Sequence, residues 1–307
     1  MTEPCDVIII GAGIAGLTCA GELVAAGLSV TQFEPGFPGG LVINVNELSD
    51  FEPANGLSGM DYAATLAVRN RKAGVRSVPD AVTAMQVNGN VFDVTAGDAT
   101  FTARFVVVAS GAHLQKLQIP GAAEFEGLGV SECADCDAPL YTGASVAIAG
   151  DGPWAVQDAL LLARECATVH LVCASERLQA PDAAQRPIEA APNVELHTHT
   201  TVAAVLGNDQ GVTGVRLQDT RATTTALQDL PVAALFVMTG LVPNSEIAPP
   251  TVARDDTGAL HTNEHRETAL PGLWAIGQVR AGFGGGLTQA LEDARHAALG
   301  IQARARS

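Results

Sequence analysis

Asp6-Val-Ile-Ile-Ile-Gly11-Ala-Gly13-Ile-Ala-Gly16 is the stretch on which the fold turns. An apolar strand runs directly into Gly-x-Gly-x-x-Gly, and the spacing predicts a helix from there to about Ala26. A second strand, Ser29 to Phe33, follows and ends at Glu34. The glycine motif alone is weak, but between a strand and a helix, with an acid ending the next strand, it is far more specific. The glycines permit a tight turn and let backbone amides meet a pyrophosphate at the helix N-terminus. Glu34 can accept hydrogen bonds from an adenosine ribose and would repel a 2′-phosphate, which suits FAD or NAD rather than NADP.

The pattern recurs. Ser145-Val-Ala-Ile-Ala-Gly150-Asp-Gly152-Pro-Trp154-Ala155 is followed by a predicted helix to about Cys166 and a strand, Thr168 to Val172. Two βαβ units of this length imply two mononucleotide-binding lobes rather than a repeat array. Between them, Asn88 to Phe105 alternates as a small antiparallel meander would, and an apolar strand, Phe105 to Ala109, runs into Ser110-Gly111. Gly214 to Leu217 and Ala234 to Met238 read as further strands and Pro243-Asn244 as a turn. The tail offers a strand, Leu273 to Ile276, a glycine-rich run, Gly282 to Gly286, and a helix from about Thr288 to Ile301. With hinges near His113 to Leu117 and Leu241 to Asn244, the expected fold is α/β. It has two Rossmann-like, three-layer ββα domains, the second inserted into the first: 1–114 with 245–307, and 115–244.

The 307 residues are 47% hydrophobic, enough for a sizeable core, and 32 glycines with 4% aromatics fit a small-residue α/β protein. A formal net charge of −16 repels phosphate backbones and argues against nucleic-acid partners. MTEPCDVIII has no basic leader region, and no apolar run is long enough to span a membrane, so a soluble, cytoplasmic protein without membrane association is expected.

Of six cysteines, Cys5, Cys19, Cys166 and Cys173 read as ordinary small core residues. Cys133-Ala-Asp-Cys136-Asp137 does not. Cys-x-x-Cys closes a small-ring disulfide in which one thiol can be an accessible nucleophile and the other can face an electron carrier. Half a zinc site shares the spacing, but zinc needs two more ligands and no second Cys-x-x-Cys stands in the sequence, so no metal is expected. His113, at the hinge, reads as structural.

Several further stretches carry a resemblance. They are Gly39-Gly40-Leu-Val-Ile-Asn-Val-Asn46-Glu47-Leu-Ser-Asp50-Phe51, Val106 to Ala112 around Ser110-Gly111, Gly211 to Thr220, Leu235 to Asn244, and Pro271-Gly-Leu-Trp-Ala-Ile-Gly277. In this order, across nearly the whole chain, they resemble the low-molecular-weight thioredoxin reductases, the class II FAD-dependent pyridine nucleotide-disulfide oxidoreductases. The resemblance implies a flavoprotein enzyme that exchanges electrons between FAD and a redox-active disulfide. It implies a homodimer whose second lobe rotates on its hinges, and a thioredoxin-like protein or a small dithiol or disulfide as partner. FAD contacts would come from Gly11, Gly13, Ala15, Gly16, Glu34, Gly40, Asn46, Asp50, Ser110, Gly111, Gly277, Gln278, Gly285, Gly286 and Leu287. Cys136 would approach flavin C4a, Cys133 would attack the substrate disulfide, and Asp137 would manage the proton. Gln278 replaces an Asp of the family but keeps donor and acceptor capacity. Gly284-Gly285-Gly286 replaces a bulkier polar run.

The resemblance fails at the second lobe. Relatives using NADPH carry a His-Arg-Arg cluster after that lobe's second strand, whose guanidiniums clamp the 2′-phosphate. Here the run is Cys173-Ala-Ser-Glu176-Arg177-Leu-Gln179, without the aligned arginines. Each lost charge-assisted bond is worth roughly 1.5–3 kcal/mol, so NADPH binding is doubted. No acid ends the strand to hold an NADH ribose, and Pro153-Trp154 crowds the glycine loop. Gly150, Gly152, Trp154 and Ala155 could instead border a second FAD, as in a diflavin-linked, pyridine-nucleotide-independent member. The expected function is FAD-dependent thiol-disulfide exchange without NADPH. The alternatives are an NAD(P)H-dependent thioredoxin-disulfide reductase and a redox-silent flavoprotein sensor or binding module.

Overall fold

A computed structural model describes residues 4–48, 51–54, 56–221 and 227–306. The chain opens with β1 (Cys5–Ile10), α1 (Ile14–Ala25), β2 (Val30–Phe33), α2 (Gly59–Ala73) and β3 (Arg76–Val78). An antiparallel run follows, β4 (Val82–Asn88), β5 (Val91–Ala96) and β6 (Ala99–Val108). After β7 (Ala112–Leu114) come β8 (Val130–Ser131), α3 (Ala134–Asp137), β9 (Ser145–Ala149), α4 (Pro153–Leu162), β10 (Thr168–Val172), α5 (Asp182–Ala190) and β11 (Val194–His197). A meander, β12 (Thr200–Asn208), β13 (Gly211–Asp219) and β14 (Leu227–Leu230), precedes β15 (Ala234–Val237). β16 (Leu241–Pro243), β17 (Leu273–Ala275) and α6 (Leu287–Ala305) complete the chain.

Contacts divide the chain into two units, 1–113 with 242–307, and 114–241. In the first unit the strands lie in the order β3-β2-β1-β6-β5-β4, with β17 beside β6. β6 serves three partners by length. Its first half pairs antiparallel with β5, and its second half runs parallel to β1 and β17. Both faces of that sheet are covered, which is why β1 reads as an unbroken apolar run. Val7 and Ile9 join a core with α1, α2 and α6, and Ile8 and Ile10 join the core on the opposite face, with Phe92, Val94 and Phe101.

The second unit repeats the plan on a smaller sheet, β11-β10-β9-β15-β8, all parallel among its paired strands. α4 and α5 cover one face, where Val146, Ile148, Val169 and Leu171 are buried. The meander covers the other, over Ala147, Ala149 and Val172. The fold is therefore α/β with two Rossmann-like units. Element ends differ from the sequence reading: β13 extends from Gly211 to Asp219, α4 stops at Leu162, and α6 runs to Ala305. α2, α5 and β8 carried no clear pattern. Among the described residues, no helix is long and apolar enough to cross a membrane.

Candidate functional site

In the first unit, three glycines of the opening loop do different jobs. Gly11 has φ +106°, and a Cβ there would lie 2.4 Å from the Ala109 carbonyl oxygen. A Cβ on Gly16 would lie 2.4 Å from the Gly11 carbonyl oxygen, so both glycines let helix, turn and strand pack closely. Gly13 has an ordinary φ of −67° and no atom within 3.8 Å of a Cβ. Neither backbone nor packing requires that glycine, and the free space lies at the N-terminus of α1. That end carries no side-chain cap and no acid in its first turn. An uncapped helix N-terminus is a ready anion site.

Glu34 reaches this loop. Its Oε2 accepts from the Ala12 N–H at 2.9 Å, and its Oε1 from the Gly36 N–H at 3.1 Å. Gly39 donates its N–H to the Ala12 carbonyl at 2.8 Å, which brings Gly40 beside Gly13. Asn46 is exposed beyond that turn, and Asp50 lies outside the described residues. Gly277, φ +71°, puts the end of β17 against Ala15, where a Cβ would approach the Ala15 methyl at 3.2 Å. Gln278 is half-buried in the turn that follows β17. Gly285 and Gly286, both at positive φ with open space around them, lead into Leu287 and the second uncapped helix start, that of α6. These residues fit an extended dinucleotide such as FAD: glycines without packing cause at two free helix ends, and an acceptor at the end of β2.

Two supports were not visible in the sequence. Asp293, fully buried on α6, accepts from four donors: Arg266 Nε at 2.6 Å, Arg280 Nε and Nη2 at 2.6 and 2.8 Å, and the Gly277 N–H at 3.0 Å. It pins the Gly277–Arg280 turn to the helix. Asn244 ties the two crossing segments of the first unit together. Its carbonyl accepts from Ser110 Oγ at 2.6 Å, its Nδ2 donates to the Ser110 carbonyl at 2.9 Å, and its Oδ1 meets His113 Nδ1 at 2.6 Å. Its own N–H bonds to the Gly111 carbonyl at 3.0 Å.

In the second unit, Cys133 and Cys136 are joined by a disulfide, S–S 2.03 Å. Cys133 caps α3, accepting the Cys136 N–H on its Sγ at 3.2 Å. Cys136 is exposed and Cys133 half-buried. Asp137 does not act alone: its Oδ2 accepts from Ser131 Oγ at 2.7 Å, and the same hydroxyl accepts the Cys133 N–H at 3.1 Å. Ser131, buried at the end of β8, was missed by sequence reasoning because it lies outside the motif. On the adjacent α4, burial and the Asp135 charge push Asp158 up to about 7. Burial raises the pKa of Cys166 and Cys173 in this unit, and of Cys5 and Cys19 in the first, and keeps these thiols protonated.

The second glycine loop keeps the geometry and changes the chemistry. A Cβ on Gly150 would collide with the Met238 carbonyl at 2.2 Å and approach the buried Ala155 at 3.1 Å, while Gly152 has nothing within 4 Å. Pro153 starts α4 without an N–H, and Trp154 beside it is 42% exposed. Asp151, between the glycines, accepts from Ser175 Oγ at 2.6 Å and lies near Cys173 Sγ at 3.9 Å. A carboxylate thus ties the glycine loop to the turn that follows β10. Arg177 and Glu176 are both exposed.

Residues 5–299 match the family model described as pyridine nucleotide-disulphide oxidoreductase. The chain is 32% identical over 277 residues to a thioredoxin reductase of Treponema pallidum, covering 90% of this chain and 89% of the relative. It is 30% identical over 284 residues to NADPH-dependent thioredoxin reductase 3 of Arabidopsis thaliana, covering 90% of this chain and 53% of that one. The crystal structure of Lactococcus lactis thioredoxin reductase in its FR conformation superposes with a TM-score of 0.88 at 26% identity, covering 97% of each chain.

Proposed function

From the premise that this chain belongs to the pyridine nucleotide-disulphide oxidoreductase family, among its thioredoxin-reductase-like flavin enzymes, we propose that it exchanges electrons between FAD and an external disulfide through Cys133 and Cys136, with NADPH a poor donor. The observation that carries the reading is the Cys133–Cys136 disulfide with Asp137 held beside it by Ser131. FAD, held by Gly13, Glu34, Gly277, Gln278 and the Gly285–Gly286 turn, supplies a two-electron redox partner for that disulfide.

In the reduced state, the Cys133 thiolate attacks one sulfur of the substrate disulfide, forming a mixed disulfide and releasing one substrate thiolate. The Cys136 thiolate then attacks Cys133 Sγ, releasing the second thiolate and re-forming the intramolecular bond. Two electrons pass to the substrate, and two protons go to its sulfurs. Asp137 and Ser131 form the polar pair nearest the motif that can relay a proton and hold the Cys133 backbone while the sulfurs exchange. The substrate is a thioredoxin-like protein or a small disulfide, and the working form is a homodimer.

The weak NADPH reading rests on the second loop. Asp151, Glu176 and Cys173 stand where a cationic clamp would be needed, and Pro153 removes an amide from the helix start. The competing reading, an NADPH-dependent reductase, is favoured by the name of the Arabidopsis relative and by the retained Gly150–Gly152 geometry. An anaerobic titration followed by flavin absorbance, with flavin counted per chain, separates the two. Bleaching by dithionite or a dithiol but not by stoichiometric NADPH or NADH is the expected result, and prompt bleaching by NADPH would establish the competing reading. A flavin count near two, rather than one, would put another FAD beside Trp154.

A further inference from the structure

The parallel register of β10 and β11 brings together three side chains that lie far apart in the sequence. His170 pairs with Glu195, and Val172 pairs with His197. Because paired residues of neighbouring strands share a face, all three project to the same side as Val172, the side covered by the meander. His170 Nδ1 lies 3.1 Å from His197 Nε2 and 3.3 Å from Glu195 Oε2, and the three ligand atoms lie within 4.8 Å of one another. None of the three belongs to the glycine loops or the dithiol turn.

The two separations from His170 Nδ1 are those of a coordination sphere. Ligands about 2.0–2.1 Å from a tetrahedral ion stand roughly 3.3 Å from each other, which is the edge of that tetrahedron. A simple hydrogen-bonded pair would need only one nitrogen facing the other. Here a third acceptor converges on the same point. The His170 side chain is 9% exposed and anchors the cluster at its buried end, while Glu195, 60% exposed, opens it to solvent as an entry path. β11 is the edge of its sheet, so an ion there would also fasten the edge strand to its neighbour.

We propose that His170, His197 and Glu195 form a binding site for one divalent transition-metal ion of the Zn²⁺ type, with water in the remaining position. Two imidazoles and one carboxylate suit borderline ions such as Zn²⁺, whereas Mg²⁺ prefers an all-oxygen octahedral shell. Since Cys173 follows β10 directly and opens the 173–179 turn, ion binding would stiffen the base of the second glycine loop.

The test uses untagged, full-length, FAD-loaded protein, stripped with chelator and kept oxidised so that Cys133 and Cys136 offer no thiolates. Calorimetric titration with Zn²⁺ should show one ion per chain and a Tm that rises to saturation, with neither effect from Mg²⁺. His197→Ala should bind at least about 100-fold more weakly, beyond the range for loss of an outer-shell partner, and should lose the Tm rise. His170 is a core residue whose replacement can unfold the unit, so His197→Ala and Glu195→Gln, both at the rim, carry the comparison. Absence of saturable one-to-one binding would overturn the proposal. So would binding undiminished in His197→Ala, which would put the ion elsewhere.

Discussion

Asp158 lies on α4, which packs against the α3 that carries Asp135, and burial, with the Asp135 charge, makes the negative charge of Asp158 costly. Its folded-state value of about 7 stands above the ordinary 3.8, so the native protein holds a proton that the unfolded chain gives up. The contribution of Asp158 to native stability therefore falls as pH rises from about 4 to about 7 and is lost above that window. Asp158→Asn keeps the neutral shape at every pH. Its Tm should match that of the parent near pH 4.5 and exceed it at pH 8.5, by an effect of roughly 1–3 kcal/mol. Equal melting of both proteins at pH 8.5 would show that the carboxylate is solvated. At this scale the sequence was only partly legible. Cys133, Cys136 and Asp137 are contiguous and announce themselves, whereas Ser131 and Asn244 act through side chains folded back onto neighbouring backbone.

The two uncapped helix starts of the first unit, those of α1 and α6, follow from the same chemistry. α1 begins at a glycine that nothing in the protein requires, and α6 begins after two more. Substituting within one loop separates packing from ligand contact. Gly16→Ala sets a methyl 2.4 Å from the Gly11 carbonyl and should destabilise the fold by about 1–3 kcal/mol, as overpacking does. Gly13→Ala meets nothing closer than 3.8 Å and should melt close to the parent while retaining much less FAD on purification. Melting curves with and without added FAD read both effects, and a Gly13→Ala protein with full flavin content would remove the loop from the cofactor site. β1, α1, β9 and β10 were legible because strand, glycine turn and helix are local patterns. α5 was not: its nine residues include Pro187 and bury little beyond Ile188. The Arg266–Asp293–Arg280 group and the His170–His197 pair were invisible for a different reason, since each is assembled by register between residues 13 to 27 positions apart.

For the whole molecule, the net charge of −16 makes encounter rates depend on the partner's charge. A thioredoxin-like substrate with a basic docking face should react fastest at low ionic strength, with kcat/KM falling several-fold or more by about 0.5 M salt. A small neutral disulfide turned over by the same Cys133–Cys136 pair should show almost no salt dependence. Stopped-flow measurement of both across one salt series checks this, and equal slopes would mean that charge plays no part in docking. The legible part of the architecture at this scale was the duplication of βαβ units. The sequence reading put the crossings near His113 to Leu117 and Leu241 to Asn244, whereas the Asn244 bonds that join those segments follow no local pattern.

The crossing itself has a further meaning. The outgoing segment, Ala112–Leu114, and the returning one, Leu241–Pro243, are hydrogen-bonded neighbours. Adjacent strands lie about 4.8 Å apart, a gap that a two-residue turn closes. The inserted unit is thus a cassette: one gene segment could be removed or exchanged without asking the remaining ends to travel. Exchanging that cassette would leave the two ends of the outer segments side by side and the sheet they build intact.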